Sequence, residues 1–191
     1  IPPKAKFRLT RYPKAKSDQA PVLMIHGYSA SGTSFAHAKI SPNLVSYLWS
    51  QGRDVWVLDM RSSCGMPSAK ENWSFEDMAF ADIPLAIDCV FKRANRPLDI
   101  VAHCMGAAMF SMAVLSAGEV KSGSPYSEER QQVPARIHKV VLSQVGPLVS
   151  MAPENIFRAY VFSYLKHALP LDGFSFSPVA EKNQAGLVEG L

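Results

Sequence analysis

Residues 98–108 of the chain read Leu-Asp-Ile-Val-Ala-His-Cys-Met-Gly-Ala-Ala. The first five are apolar apart from Asp99 and include two β-branched residues, a composition that favours a short buried strand. Residues 105–116 are rich in Ala, Met, Leu and Phe and contain no proline, which favours a helix. The segment is therefore predicted to pass from a strand directly into a helix, with Cys104 at the turn between them.

Cys104 is flanked at a distance of two residues by Ala102 and Gly106. Small residues at these two positions allow a strained strand-to-helix turn to close, with the central side chain at its tip beside the free N–H groups of the helix start. We interpret the pattern as a nucleophile elbow in which cysteine stands where serine is usual, and Cys104 as the candidate catalytic residue. The alternative is a small thiol that packs as a hydrophobe.

A second candidate loop follows the continuous apolar run of residues 22–25, which is typical of a strand covered on both faces of a parallel sheet. The loop begins His26-Gly27-Tyr28 and is rich in Gly and Ser, so that its backbone N–H groups can turn toward a ligand. We predict an oxyanion hole from the backbone amides of Tyr28 and Met105. His26, Gly27 and Gly106 are expected to support it, and the His26 side chain is left open between a functional group and part of a tight turn.

The remaining apolar runs predict three more strands, at residues 7–12, 54–59 and 137–144. Helices are predicted after Ser41-Pro42, with Ser41 as N-cap, and after Ser74. Strands that alternate with helices predict an α/β fold with a mainly parallel, doubly wound sheet of five strands.

The domain division is predicted to be a core over residues 1–150 and the start of a cap or lid over residues 151–191. Residues 155–169 are apolar nearly all round. This pattern fits either a buried helix or a lid over an apolar pocket, and its place after the fifth strand favours the lid.

With these elements placed, the chain resembles the α/β-hydrolase superfamily. More narrowly, it is similar to the hydrolase-like module joined to glucose-methanol-choline flavoproteins of the cholesterol-oxidase type. The residues that carry the narrower resemblance are Leu9 to Tyr12, Pro21 to Gly27, Asp54 to Arg61, Ala81 to Pro84, Val101 to Gly106 and Ser143 to Val145.

The resemblance implies a hydrolase or acyl-transfer module for a lipid-like ester or thioester, with a hydrophobic small molecule as substrate. The second hypothesis is a non-catalytic domain that binds a hydrophobic ligand or docks onto a flavin oxidoreductase of sterols or alcohols. A polyester synthase also has a cysteine at this turn, but the surrounding residues fit it less well. Because only five strands are found and no Gly-x-Gly-x-x-Gly occurs, we expect the N-terminal part of an incomplete hydrolase fold and no cofactor in this chain.

The general base and acid are not assigned from the sequence. His103 is expected to orient or pack rather than to act as the base, and the other candidates are His37, His138 and His167. Asp59, at the end of a predicted central strand, is the best-placed acid. Asp82 is interpreted as a charge in a first helical turn or on a helix surface.

Composition excludes several classes of protein. Lys and Arg number 20 against 16 Asp and Glu, a net charge of +4, and the basic residues near the N-terminus lack the interleaved aromatic residues of a nucleic-acid surface. We expect no nucleic-acid partner, no transmembrane segment and no metal site.

The three cysteines have no paired spacing, which argues against a disulfide framework, and Cys64 and Cys89 are interpreted as structural or incidental. The compartment is left open.

Overall fold

The structure is a computed structural model that describes residues 6–15, 17–145, 153–154, 156–157 and 161. The chain divides into two compact units, residues 1–145 and 146–191. In the second unit the five described residues are helical. The rest of the predicted lid helix at 155–169, and the predicted boundary at residue 150, lie outside the described residues.

The first unit contains a five-stranded sheet in the order β1-β3-β2-β4-β5. β1 runs antiparallel to β3, and the other neighbours are parallel, which confirms the predicted fold class. The strands are β1 (Arg8–Tyr12), β2 (Val22–Ile25), β3 (Val55–Asp59), β4 (Leu98–His103) and β5 (Ile137–Ser143).

Helices connect the strands and cover the sheet. They are α1 (Thr33–Ala36), α2 (Leu44–Ser50), α3 (Phe75–Asp77), α4 (Ile83–Ala94), α5 (Met105–Leu115) and α6 (Ser127–Gln132). Shorter 3₁₀ turns occupy Pro67–Lys70, Ala117–Glu119 and Pro134–Arg136, and a π-helical turn, Met78–Asp82, joins α3 to α4.

The two predicted helix starts have different outcomes. Ser74 caps α3 as predicted, in a capping box with Asp77. Ser41 does not cap α2. Instead, the Asn43 side chain accepts a hydrogen bond from the N–H of Ser46 at 2.9 Å, because the helix begins only at Leu44.

Alternate residues of the central strands pack against opposite layers of helices. Leu23 and Ile25 belong to a buried cluster with residues of α4 and α5, whereas Val22 and Met24 pack with Phe35 of α1 and Val45 of α2. Both faces of the central strands are therefore covered, as expected for continuous apolar runs in a parallel sheet. β5 is less covered, and its residues Val140, Val141 and Leu142 are exposed.

The strand order creates a crevice at one point of the sheet. β2 has β3 on one side and β4 on the other, so the connections that follow β2 and β4 diverge. Ile25 and Ala102 are aligned near the carboxyl ends of these two strands. The two loops singled out in the sequence, at His26 and at Cys104, therefore leave the sheet side by side.

Candidate active site

Cys104 lies at the turn between β4 and α5, where the sequence places it. Its backbone has φ +54° and ψ −125°, a conformation that costs an L-residue about 1–3 kcal/mol. The Cys104 N–H donates to the carbonyl of Ser143 at 2.8 Å, so the end of β5 holds the strained residue. The thiol is half-buried.

Two glycines bring the β2 loop against this turn. A Cβ atom on Gly27 would lie 2.9 Å from the Cβ and 3.6 Å from the Sγ of Cys104. A Cβ atom on Gly106 would lie only 2.2 Å from the carbonyl oxygen of His26. The backbone of residues 26–27 thus packs closely against the Cys104 side chain and the Gly106 backbone, and no larger side chain fits at either glycine.

The candidate oxyanion donors lie on the two sides of this contact. Met105 opens α5, and its N–H and that of Gly106 have no acceptor within the helix. Tyr28 follows Gly27 directly. Its ring is 56% exposed and meets the ring of Trp73 edge-on, with centroids 6.3 Å apart. The roles of Tyr28 and Met105 as oxyanion donors, and of Cys104 as a nucleophile, stay predictions.

His26 is part of the wall behind the loop. Its ring is 1% exposed, with Nδ1 2.7 Å from the carbonyl oxygen of Gly27 and Nε2 2.5 Å from the hydroxyl of Ser63. Burial lowers the pKa of His26, against the opposing effects of the Gly27 carbonyl and the Asp59 charge. The imidazole is therefore neutral and its polar atoms are occupied.

Asp59 braces the same loop from the end of β3. One carboxylate oxygen accepts the Gly32 N–H at 2.7 Å, and the other accepts from Nη2 of Arg8 at 2.8 Å. Burial alone would raise the pKa of Asp59, but the hydrogen bond from Gly32 and the Arg8 guanidinium outweigh it and lower that pKa. Both oxygens of this carboxylate are therefore occupied, and the role of Asp59 as the acid stays a prediction.

The interpretation of Asp82 as a surface charge is wrong. Its side chain is fully buried at the end of the π-helical turn, where it accepts two hydrogen bonds from the Arg61 guanidinium at 2.7 and 2.8 Å. The Lys6 backbone N–H also donates to it, at 3.0 Å. The pair ties the loop after β3 to the helical layer, and the hydrogen bonds that Arg61 donates to Asp82 raise the pKa of Arg61.

The described histidines leave the base unassigned. Nδ1 of His103 is 3.3 Å from the Ser143 hydroxyl, the ring of His37 is exposed, and His138 pairs with Asp99 at the start of β5. His167 lies outside the described residues. Within the described ranges, no hydrogen bond reaches the sulfur of Cys104.

The sequence also led to expectations about metal sites, transmembrane segments and the other two cysteines. Among the described residues, no three His, Cys, Asp or Glu side chains come together as a metal ion would require. In that same part of the chain, no helix is long and apolar enough to cross a membrane. Cys64 lies exposed in the loop after β3, and Cys89 lies on α4.

Three buried contacts of the site were not found by sequence reasoning, those of Ser63 with His26, of Asp59 with Gly32 and of Arg61 with Asp82. The available signal was a pair of charged residues, Asp59 and Arg61, at the end of an otherwise apolar strand. Charged residues are rarely buried unless paired, so such a pair predicts partners elsewhere in the fold. Nothing in the sequence marks Ser63.

The comparisons with known proteins agree with this fold. The sequence profile of the alpha/beta hydrolase family matches residues 22–189. A solved carboxylesterase structure from the ammonia-oxidizing thaumarchaeon Nitrososphaera gargenis is similar, with a TM-score of 0.51 and 12% identity over 84% of this chain and 49% of that one. Epoxide hydrolase VrEH1 from Vigna radiata gives a TM-score of 0.50 and 19% identity over 82% of this chain and 41% of that one.

The chain belongs to the alpha/beta hydrolase family, since the profile covers most of its length. At these identities the two solved structures show the fold alone. The chain spans about half or less of the length of each of them.

Proposed function

We propose that the chain is a hydrolase or acyl-transfer module in which Cys104 is the nucleophile toward a lipid-like ester or thioester. The observation that carries the proposal is the close approach of Gly27 to the Cys104 side chain, where an added Cβ atom would lie 2.9 Å from the Cys104 Cβ, at the strained turn that opens α5. A side chain held at positive φ between a strand and a helix projects away from both, toward the loop that follows β2. Family membership supports a hydrolytic reaction, and the substrate class is part of the proposal.

In the proposed reaction, the Cys104 thiolate attacks the carbonyl carbon of the substrate. A C–S bond forms, the bond to the leaving oxygen or sulfur breaks, and the leaving group takes a proton from water. Water then hydrolyses the thioester, or an acceptor alcohol or thiol takes the acyl group. The substrate oxygen carries negative charge in each tetrahedral intermediate, and the amides of Tyr28 and Met105 are proposed to bind it.

Among the described residues, no imidazole forms a hydrogen bond with the Cys104 sulfur, and we therefore expect a slow reaction. A positioned base contributes about 10²–10⁴ in rate. A thiolate can attack without one, so activated substrates such as aryl esters and thioesters are the substrates on which we expect reaction. The expected signature is a burst of one acyl group per chain followed by slow turnover.

The test is acylation by p-nitrophenyl butyrate, followed by p-nitrophenolate release and by the mass of the intact protein. We expect one butyryl group on Cys104, and its loss in Cys104→Ala. Cys64→Ala is the matched control, because it removes an exposed loop thiol outside the site. Acylation that persists in Cys104→Ala, or that is absent from the unmodified chain, would contradict the proposal.

A second candidate function is a ligand-binding or docking module of a flavin oxidoreductase that acts on sterols or alcohols. It is favoured by the lack, among the described residues, of any hydrogen bond to the Cys104 sulfur, and by the resemblance of the Asp54 to Arg61 and Val101 to Gly106 segments to that module. It predicts that Cys104→Ala binds a sterol as tightly as the unmodified chain and that neither is acylated. Quenching of tryptophan fluorescence by cholesterol would measure the binding.

A further inference from the structure

The contacts of His26 determine which of its nitrogens carries the proton. Nε2 lies 3.3 Å from the backbone nitrogen of Met60, which can only donate. Nε2 is therefore the acceptor of the imidazole, and the proton of the neutral ring is on Nδ1. That N–H donates to the carbonyl of Gly27 at 2.7 Å.

The same assignment fixes the direction of the hydrogen bond from Ser63. Its Oγ is 2.5 Å from Nε2, which already accepts from Met60, so the hydroxyl is the donor. Ser63 is 0% exposed and His26 is 1% exposed, and water has little access to either group. If the Ser63 hydroxyl is removed, Nε2 keeps only the long contact with Met60. The ring keeps its Nδ1–H form, because the Gly27 carbonyl can only accept and the Met60 N–H can only donate, but it loses the shorter of the two hydrogen bonds that hold Nε2 in place.

The position of the ring matters because its Nδ1–H binds the Gly27 carbonyl. The Gly27 carbonyl and the Tyr28 N–H belong to one planar peptide unit and point in opposite directions across it. A hydrogen bond to the carbonyl therefore also sets the direction of the N–H. This N–H is the proposed oxyanion donor, and it follows directly on Gly27, whose backbone leaves no room for a Cβ atom beside the Cys104 side chain.

We propose that Ser63 is a positioning residue: its hydroxyl holds the buried His26 ring in place by donating to Nε2, and His26 thereby aims the Tyr28 amide. This inference rests on the proposed function, in which that amide binds the oxyanion. Ser63 touches no substrate. It acts through two successive hydrogen bonds, from the loop after β3 to the loop after β2.

The chain offers a matched control in the adjacent serine. The Ser62 hydroxyl lies 3.2 Å from the sulfur of Met78 and makes no contact with His26. Ser63→Ala is compared with Ser62→Ala, which removes the same atom one residue away. Ser63→Thr keeps the hydroxyl and is the rescue variant. If Ser63→Ala does not fold, Ser63→Cys takes its place, since a thiol is a weaker donor at the same position.

Two measurements separate this inference from the proposed function. Long-range ¹⁵N–¹H NMR of the His26 ring reports the tautomer and the hydrogen bonding of Nε2, and the Tyr28 amide resonance reports the peptide; neither depends on activity. We expect the Nδ1–H form in the unmodified chain and in all the variants, and an unchanged Nε2 resonance in Ser62→Ala. In Ser63→Ala we expect a shifted Nε2 resonance, a shifted Tyr28 amide and acylation of Cys104 by p-nitrophenyl butyrate that is at least about tenfold slower, since full loss of one oxyanion donor costs about 10²–10³. Ser63→Thr should restore the Tyr28 amide resonance and the acylation rate.

The outcomes that would overturn the inference are specific. An Nε2–H tautomer in the unmodified chain contradicts the assignment, and an unchanged Nε2 resonance and Tyr28 amide in Ser63→Ala contradict the role of Ser63. A shift of both resonances with an unchanged acylation rate overturns the link to the oxyanion donor. If the unmodified chain is not acylated at all, the proposed function fails and the reaction that the inference serves fails with it, while the NMR result still decides whether Ser63 holds the ring and the Tyr28 peptide in place.

Discussion

At the scale of single residues, the site stores its strain at Cys104. The residue adopts φ +54°, which glycine reaches without a steric penalty and an L-residue does not. The Ser143 carbonyl and the Gly27 contact hold it in place from both sides. A side chain is kept here against the local backbone preference, which is the pattern expected where a reactive group must project.

The first prediction concerns this strain. We expect the free energy of unfolding of Cys104→Gly to exceed that of Cys104→Ala by about 1 kcal/mol. The reason is that relief of about 1–3 kcal/mol of strain outweighs the conformational entropy that glycine adds to the unfolded chain. Urea unfolding of both variants measures it. Cys64→Gly against Cys64→Ala is the control, since Cys64 has no positive φ, and there glycine should be the less stable of the two. If glycine is the less stable of the two variants at position 104 as well, the turn at Cys104 is not strained.

At the scale of elements, the close approach of β2 and α5 decides whether the site forms. The Gly106 Cα faces the His26 carbonyl with no room for a methyl group. The π-helical turn before α4 also stabilises the site. It places Asp82 where its carboxylate binds Arg61, and this pair holds the loop that carries Ser63. Wide turns of this kind recur at functional sites, where they redirect one side chain without ending the helix.

The second prediction follows from the Gly106 contact. We expect Gly106→Ala to lose about 3 kcal/mol of stability, because its Cβ would meet backbone atoms that no rotamer change can move aside. Gly118→Ala is the matched control, since nothing lies within 4 Å of a Cβ there. Thermal unfolding of the two variants compares them directly. An equal loss of stability in both would contradict the tight packing of β2 against α5.

At the scale of the whole molecule, buried ionisable groups link stability to pH. Because burial lowers the pKa of His26, the unfolded chain binds a proton at a pH where the folded chain does not. The stability from a neutral His26 is complete above the unfolded value of about 6.5 and is lost as pH falls toward the lower folded pKa. Asp59 acts in a separate window, since its lowered pKa contributes stability that is lost only below about 3.9.

The third prediction is a loss of stability as the pH falls below about 6.5 that belongs to His26. We expect the free energy of unfolding of the unmodified chain to decrease as the pH is lowered through this range. The slope of this decrease should be smaller in His26→Gln. His37→Gln, which changes an exposed ring, should keep the original slope. Urea unfolding at several pH values measures the slopes. An unchanged slope in His26→Gln would show that the ring is not held neutral by the fold.

The local features of this chain follow from its sequence. The apolar runs at residues 22–25 and 98–102, the small residues around Cys104 and the helix-forming segment after it each specify their own conformation over a few residues. Together with the apolar runs of the other three strands, these features predict the five strands, the fold class and the turn at Cys104. The start of α2 was misplaced, because Ser41 and Asn43 are both good caps and the choice between them depends on where the chain leaves β2.

The partners of the buried polar groups were decided only by the tertiary structure. Asp82 and Arg61, Asp59 and Gly32, and Ser63 and His26 are each at least 21 residues apart. A residue's own neighbours in the chain cannot indicate which distant group will neutralise it. The strand order brings these groups together, because β3 and β4 lie on opposite sides of β2 and their loops enclose the same crevice. For that reason Cys104 could be found in the sequence, whereas the residues that brace the loop opposite it could not.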